Sequence, residues 1–206
     1  MYVHAMENER QAIRPQISSV SAPPAAVEDG AKACVEYVEK KYGIKLDFQI
    51  ETLPILDHYL REARDKSVPD DAKSLVASVA GCYFGEVLRS RFPLTWDPAD
   101  VDHASWSMST TYVTVFPVAM ARVAIDGVES ERVTESLRLD PKLSASLAHR
   151  LRQLPPVSED EFTSLSTRLE VLDIAFELLA SGSQTASHHD GACCDDSEHA
   201  EEPSNC

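Results

Sequence analysis

Residues 74–88 read SLVASVAGCYFGEVL, and this stretch decides the fold. Leu75, Val76, Val79, Ala80, Cys82, Tyr83, Val87 and Leu88 cannot share one narrow helical stripe, so the segment is apolar around most of its circumference. A helix of that kind belongs in the middle of a domain. Val68-Pro69-Asp70-Asp71 leads into it, with Asp70 as the expected N-cap. Gly81 and Gly85 strip the side chains from part of its surface. Glycine inside a helix costs about 1 kcal/mol relative to alanine, so the pair predicts a second element pressed against bare backbone. The segment is too short, and too closely flanked by charge, for a membrane dimerisation motif.

Working toward the N-terminus, Leu46-Asp47-Phe48-Gln49-Ile50 alternates apolar and polar residues and predicts a short half-buried strand. Thr52 is the expected cap of the helix that follows, with Leu53, Leu56, Leu60 and Ala63 on its apolar face. Pro54 falls in its first turn, where the missing N–H is harmless. An earlier helix starts near Ala26, buries Val27, Ala31, Cys34, Val35 and Val38, and stops at Gly43.

Toward the C-terminus, Pro93-Leu94-Thr95-Trp96 and Thr110–Phe116 (TTYVTVF) read as strands, the second being the strongest strand signal in the chain. Pro117 opens a short helix that Gly127 closes. Asp140-Pro141 are the expected N-cap and first position of another, with Leu143, Leu147, Leu151 and Leu154 on one face and Pro155-Pro156 as its end. Ser158 and Glu161 have capping-box spacing. Phe162, Leu165, Leu169, Leu172, Phe176 and Leu179 then recur every three or four residues. Such a stripe packs a terminal helix on its own domain, or serves as the seam of a homodimer through residues 159–180.

These elements predict a single α+β domain over residues 26–180, several helices packed on a small sheet. A flexible leader (residues 1–25) precedes it and a disordered tail (residues 181–206) follows. The tail has no Lys or Arg and six of the acids. Of the 206 residues, 43% are hydrophobic and 26% charged, which excludes a wholly disordered or collagen-like chain. The formal net charge of -15 disfavours nucleic acid and anionic membrane surfaces as partners. No run reaches the roughly 20 apolar residues of a transmembrane helix, and the first residues lack the pattern of a secretory signal, so a cytoplasmic protein is expected. The five cysteines form no disulfide framework. Cys34 and Cys82 lie in apolar helices, while Cys193, Cys194 and Cys206 lie in the tail.

Gly81-Cys82-Tyr83-Phe84-Gly85-Glu86, then Trp96, then Phe116-Pro117-Val118-Ala119-Met120 and Gly127 form a recurring set. With LDFQIETLPILDHYL before them, these residues resemble uncharacterised bacterial families of unknown function with the pattern GxxFGE…W…FPxxM…G. The resemblance covers roughly Leu46 to Gly127. A basic pair often found before the final glycine is reduced here to Arg122, one residue out of step. The resemblance implies a fold and no reaction.

Glu86, Trp96 and Arg122 are the candidate binding residues: an acid on the buried helix with an indole and a guanidinium as expected neighbours. Glu86 is read as a structural carboxylate, as a ligand contact, or as a general acid or base in a cleft. No nucleophile elbow, Walker loop, dinucleotide fingerprint, H-E-x-x-H or C-x-x-C occurs. His58, His103 and His149 are isolated. In the tail, His188, His189, Cys193, Cys194 and His199 have the ligand types that hold zinc or copper, weakly if the segment is disordered. The expectation is a non-catalytic protein-interaction or binding module with an unidentified protein partner and no resident cofactor. A metal-handling protein is the alternative, and an enzyme built on Glu86 a further one.

Overall fold

The computed structural model describes residues 22–65, 68–97, 105–127 and 135–186. At its centre lies the helix Asp70–Arg91 (α3), in which Tyr83 and Phe84 have no exposed surface. Its wide apolar circumference is covered on several sides. Helix Ala25–Tyr42 (α1) and helix Pro117–Asp126 (α4) both pack along it. Helix Leu53–Asp65 (α2) bridges α4 and the last helix, Leu165–Ala186 (α7). Helix Pro141–Leu151 (α5) lies against α7, which a single turn, Glu159–Phe162 (α6), precedes.

The two glycines of α3 receive two different neighbours. A Cβ on Gly81 would sit 2.4 Å from the Val118 Cα, so this notch admits the backbone of α4. A Cβ on Gly85 would sit 2.1 Å from the Trp96 ring, so that notch admits an indole from the sheet. The close approach predicted from the spacing is present at both positions.

The sheet has four antiparallel strands in sequence order: Thr95–Asp97 (β1), Ser107–Ser109 (β2), Val113–Val115 (β3) and Leu137–Leu139 (β4). Trp96 pairs with Met108, Met108 with Val115 and Val115 with Leu137. That row shares one face of the sheet, and Trp96 sets the face against α3. The molecule is therefore an α+β domain of helices with a small antiparallel sheet, as its sequence predicts.

Several local expectations are corrected. Residues 46–50 form no strand. The Phe48 amide donates to the Tyr83 hydroxyl at 2.8 Å, and the Asp47 carboxylate accepts from the Gln49 amide and the Thr52 hydroxyl. Phe48 takes a left-handed conformation (φ 63) and stacks on the Tyr83 ring at 4.7 Å, and a 3-10 turn, Ile50–Thr52, follows. Asp70 lies one residue inside α3, Pro69 being the N-cap. Strand β3 is shorter than residues 110–116 because the Thr110 hydroxyl accepts from the amides of Tyr112 and Val113, which turns the chain there. The Ser158 hydroxyl caps α6, accepting from the Glu161 amide. The helix predicted over 159–180 is divided: α6 ends at Phe162 and α7 begins at Leu165, then runs past Ala180 to Ala186. Once a helix is nucleated each further residue adds a hydrogen bond, which favours its extension past Ala180.

The closures at Gly43 and Gly127 and the Asp140 cap are as predicted: the Gly43 amide donates to the Glu39 carbonyl, the Gly127 amide to that of Val123, and the Asp140 side chain accepts from the Lys142 amide.

Candidate binding groove

Glu86 and Trp96 come together, and their arrangement is closed on itself. The Trp96 indole N–H donates to Glu86 Oε1 at 2.9 Å, and Arg89 donates from Nε and Nη2 to Oε2 at 3.0 and 2.7 Å. The Glu86 side chain is 12% exposed, and among the described residues it does not line the cavities of about 480, 670 and 450 Å³. The Gly85 notch seats the indole, and Glu86 and Arg89 hold it from the same helix. This pair fastens the sheet to α3 and engages both carboxylate oxygens of Glu86. Burial pushes the neighbouring Cys82 thiol up to about 11 and the Cys34 thiol up to about 12, so both stay protonated and unreactive at neutral pH.

Arg122 stands apart from that pair. It donates from Nε to Asp126 at 2.7 Å and from Nη1 to the Ser74 hydroxyl at 2.9 Å, and it also pairs with Asp70. It lines a cleft of about 480 Å³ between α3, α4 and β4, together with Ser78, Glu135 and Arg138. Two carboxylates already neutralise Arg122. Arg138 lies with its guanidinium 4.9 Å from the centre of the Phe116 ring. Apolar residues such as Ala77, Phe116 and Val118 share the lining with these charged groups. A third hollow, of about 670 Å³, is open, and among its charged residues Arg91 and Asp173 bond to one another while Glu177 also lines it.

A groove of about 450 Å³ runs between the end of α5, the Pro155-Pro156 segment and the first turns of α7. Leu151, Val157, Phe162, Val171 and Ile174 supply its apolar lining, with Arg152 and Glu170 among its charged residues. At its edge Leu154 is 43% exposed and Val157 48% exposed. The geometry follows from local rules. Helix α5 ends at Leu151, and two prolines that cannot rejoin a helix carry the chain onward in extended form. Leu154, expected on the α5 face, is thereby left outside it.

The Phe162–Leu179 stripe does not form an exposed seam. Leu165, Leu169 and Leu172 are buried in the core, and Phe176 stacks on Phe92 at 4.4 Å. A dimer closed through that stripe would have to open the domain. The face of α7 that reaches the groove is the adjacent one, Thr167, Val171 and Ile174.

Arg168 is a residue that the sequence reading passed over. It interrupts the Leu165–Leu169–Leu172 stripe, is 5% exposed, and its guanidinium lies 4.5 Å from the centre of the Phe162 ring. A charge set inside an apolar helical face is the signal that could have found it.

The tail residues His188, His189, Cys193, Cys194 and His199 lie outside the described residues, as does His103. Among the described residues no three His, Cys, Asp or Glu side chains are placed to hold a metal, and no helix is long and apolar enough to cross a membrane. Searches of protein-family models, curated proteins and solved structures found no match to this chain.

Proposed function

We propose that the chain is a non-catalytic binding module whose ligand seat is the groove between α5 and α7. The observation that carries this reading is an apolar groove edged by exposed Leu154 and Val157 in a strongly acidic chain. Its volume falls within the few hundred cubic ångströms typical of small-ligand sites. By contrast, the acid suspected of chemistry is bound to Trp96 and Arg89. The residues that resemble uncharacterised bacterial families have packing roles on this reading: Gly81 and Gly85 admit neighbours, Glu86 holds Trp96, and Gly127 ends α4.

A neutral fluorescent dye such as 1-aminoanthracene tests the proposal. Its emission should rise on mixing with the full chain. Ile174→Gln, which puts an amide in the groove lining, should abolish the rise, while Arg122→Gln, in the other cleft, should leave it. Emission that is absent, or that is lost with Arg122→Gln and kept with Ile174→Gln, contradicts the assignment.

A further inference from the structure

Arg168 carries a charge into the core, where its guanidinium lies against the Phe162 ring and no carboxylate pairs with it among the described residues. Its Nε and Nη2 are buried and have no hydrogen-bond partner among the described residues. A buried guanidinium in that condition is costly, and burial pulls its proton affinity below the ordinary arginine value. The unpartnered atoms are informative as a pair. Nε and Nη2 form one edge of the planar fork, and two parallel N–H groups on that edge match the two oxygens of a carboxylate. Among the described residues Arg89 presents this edge to Glu86, and Arg91 presents it to Asp173 at 2.5 and 2.9 Å.

Arg168 does not line the groove, but the Phe162 ring against which it packs does. Phe162 is half-buried and belongs to the single turn α6, so one aromatic ring both lines the apolar groove and packs against the Arg168 guanidinium. Resting on the groove as the ligand seat, we propose that it binds an aliphatic carboxylate. The hydrocarbon chain lies along Leu151, Val171 and Ile174, and the carboxylate pairs with the Nε/Nη2 edge of Arg168 once the Phe162 ring turns aside. An apolar chain alone would leave the cation unmatched. A phosphate dianion would bring more negative charge into an apolar site than one guanidinium neutralises.

The experiment compares octanoate with octanol as probes on the full chain, by displacement of the groove-bound dye and by thermal melting. Octanoate should bind about tenfold or more tightly than octanol, the expected scale of a charge-assisted hydrogen bond. Arg168→Met should erase that preference, and without ligand it should melt higher than the parent chain because an unmatched buried charge has been removed. Equal binding of octanol and octanoate to the parent chain overturns the inference and needs no variant. So does a preference that survives in Arg168→Met, or an unliganded variant that melts lower than the parent, which would reveal an existing partner for Arg168. Dye binding without an octanoate preference leaves the groove reading standing; absence of dye binding removes both.

Discussion

The Tyr83 hydroxyl turns the chain where alternation of residues 46–50 predicts a strand. It accepts from the Phe48 amide and lies 3.1 Å from the Thr52 hydroxyl. The left-handed conformation of Phe48 is held by that bond and by the stacked rings. Tyr83→Phe keeps the ring and removes the acceptor, so it should destabilise the protein by about 1–2 kcal/mol in chemical denaturation; an unchanged midpoint would place the restraint elsewhere. The sequence made the alternation visible and hid the phenol, because the partner lies 35 residues away. The glycines were more legible: their spacing predicted close contact, though not that one notch holds backbone and the other an indole. Gly81→Ala and Gly85→Ala should each destabilise by about 1–3 kcal/mol, the range for overpacking, despite the higher helix propensity of alanine. The loss should be greater at Gly81, where the obstacle is the Val118 backbone and cannot rotate away.

Among the helices, α2 acts as a clamp on the ends of others. Asp57 accepts from the amides of Leu165 and Ser166 at 2.7 and 3.1 Å and from the Ser166 hydroxyl, and so caps α7 from 108 residues away. Two turns along α2, Arg64 donates to the carbonyls of Ala124 and Ile125 at the end of α4 and pairs with Asp160. These caps are illegible in local sequence because the helix that gains the cap does not contain the capping residue, whereas Asp140 and Ser158 cap their own helices and were read directly. Asp57→Ala should cost about 2 kcal/mol and speed hydrogen exchange at the first turn of α7. Burial raises the Asp57 carboxyl above its ordinary value, against the hydrogen bonds from Ser166 and Leu165 that lower it. The folded chain thus holds this proton to higher pH than the unfolded chain does. Its stabilising contribution is full below the ordinary carboxylate range and declines as pH rises through the raised value. The stability of the parent chain relative to Asp57→Asn should therefore increase on acidification across that window; a difference that is flat or falls there would contradict the assignment.

For the whole molecule, the composition and periodicity of the chain predicted an α+β domain around one central helix, because burial patterns are local signals. The groove was not predicted, because it arises where α5, a proline segment and α7 meet and no single stretch encodes it. The buried apolar residues among those described lie between Val27 and Ala175. A chain ending at Ala186 should therefore melt at the same temperature as the full chain by calorimetry, and a clear fall would assign residues 187–206 a part in folding. On the proposed function, ligand enters between α5 and α7, and amide chemical-shift mapping during octanoate titration locates that entry. The largest shifts are expected at Val157, Thr167, Glu170 and Ile174. Shifts centred on Ser74, Ala119 and Arg138, around the other cleft, would contradict it.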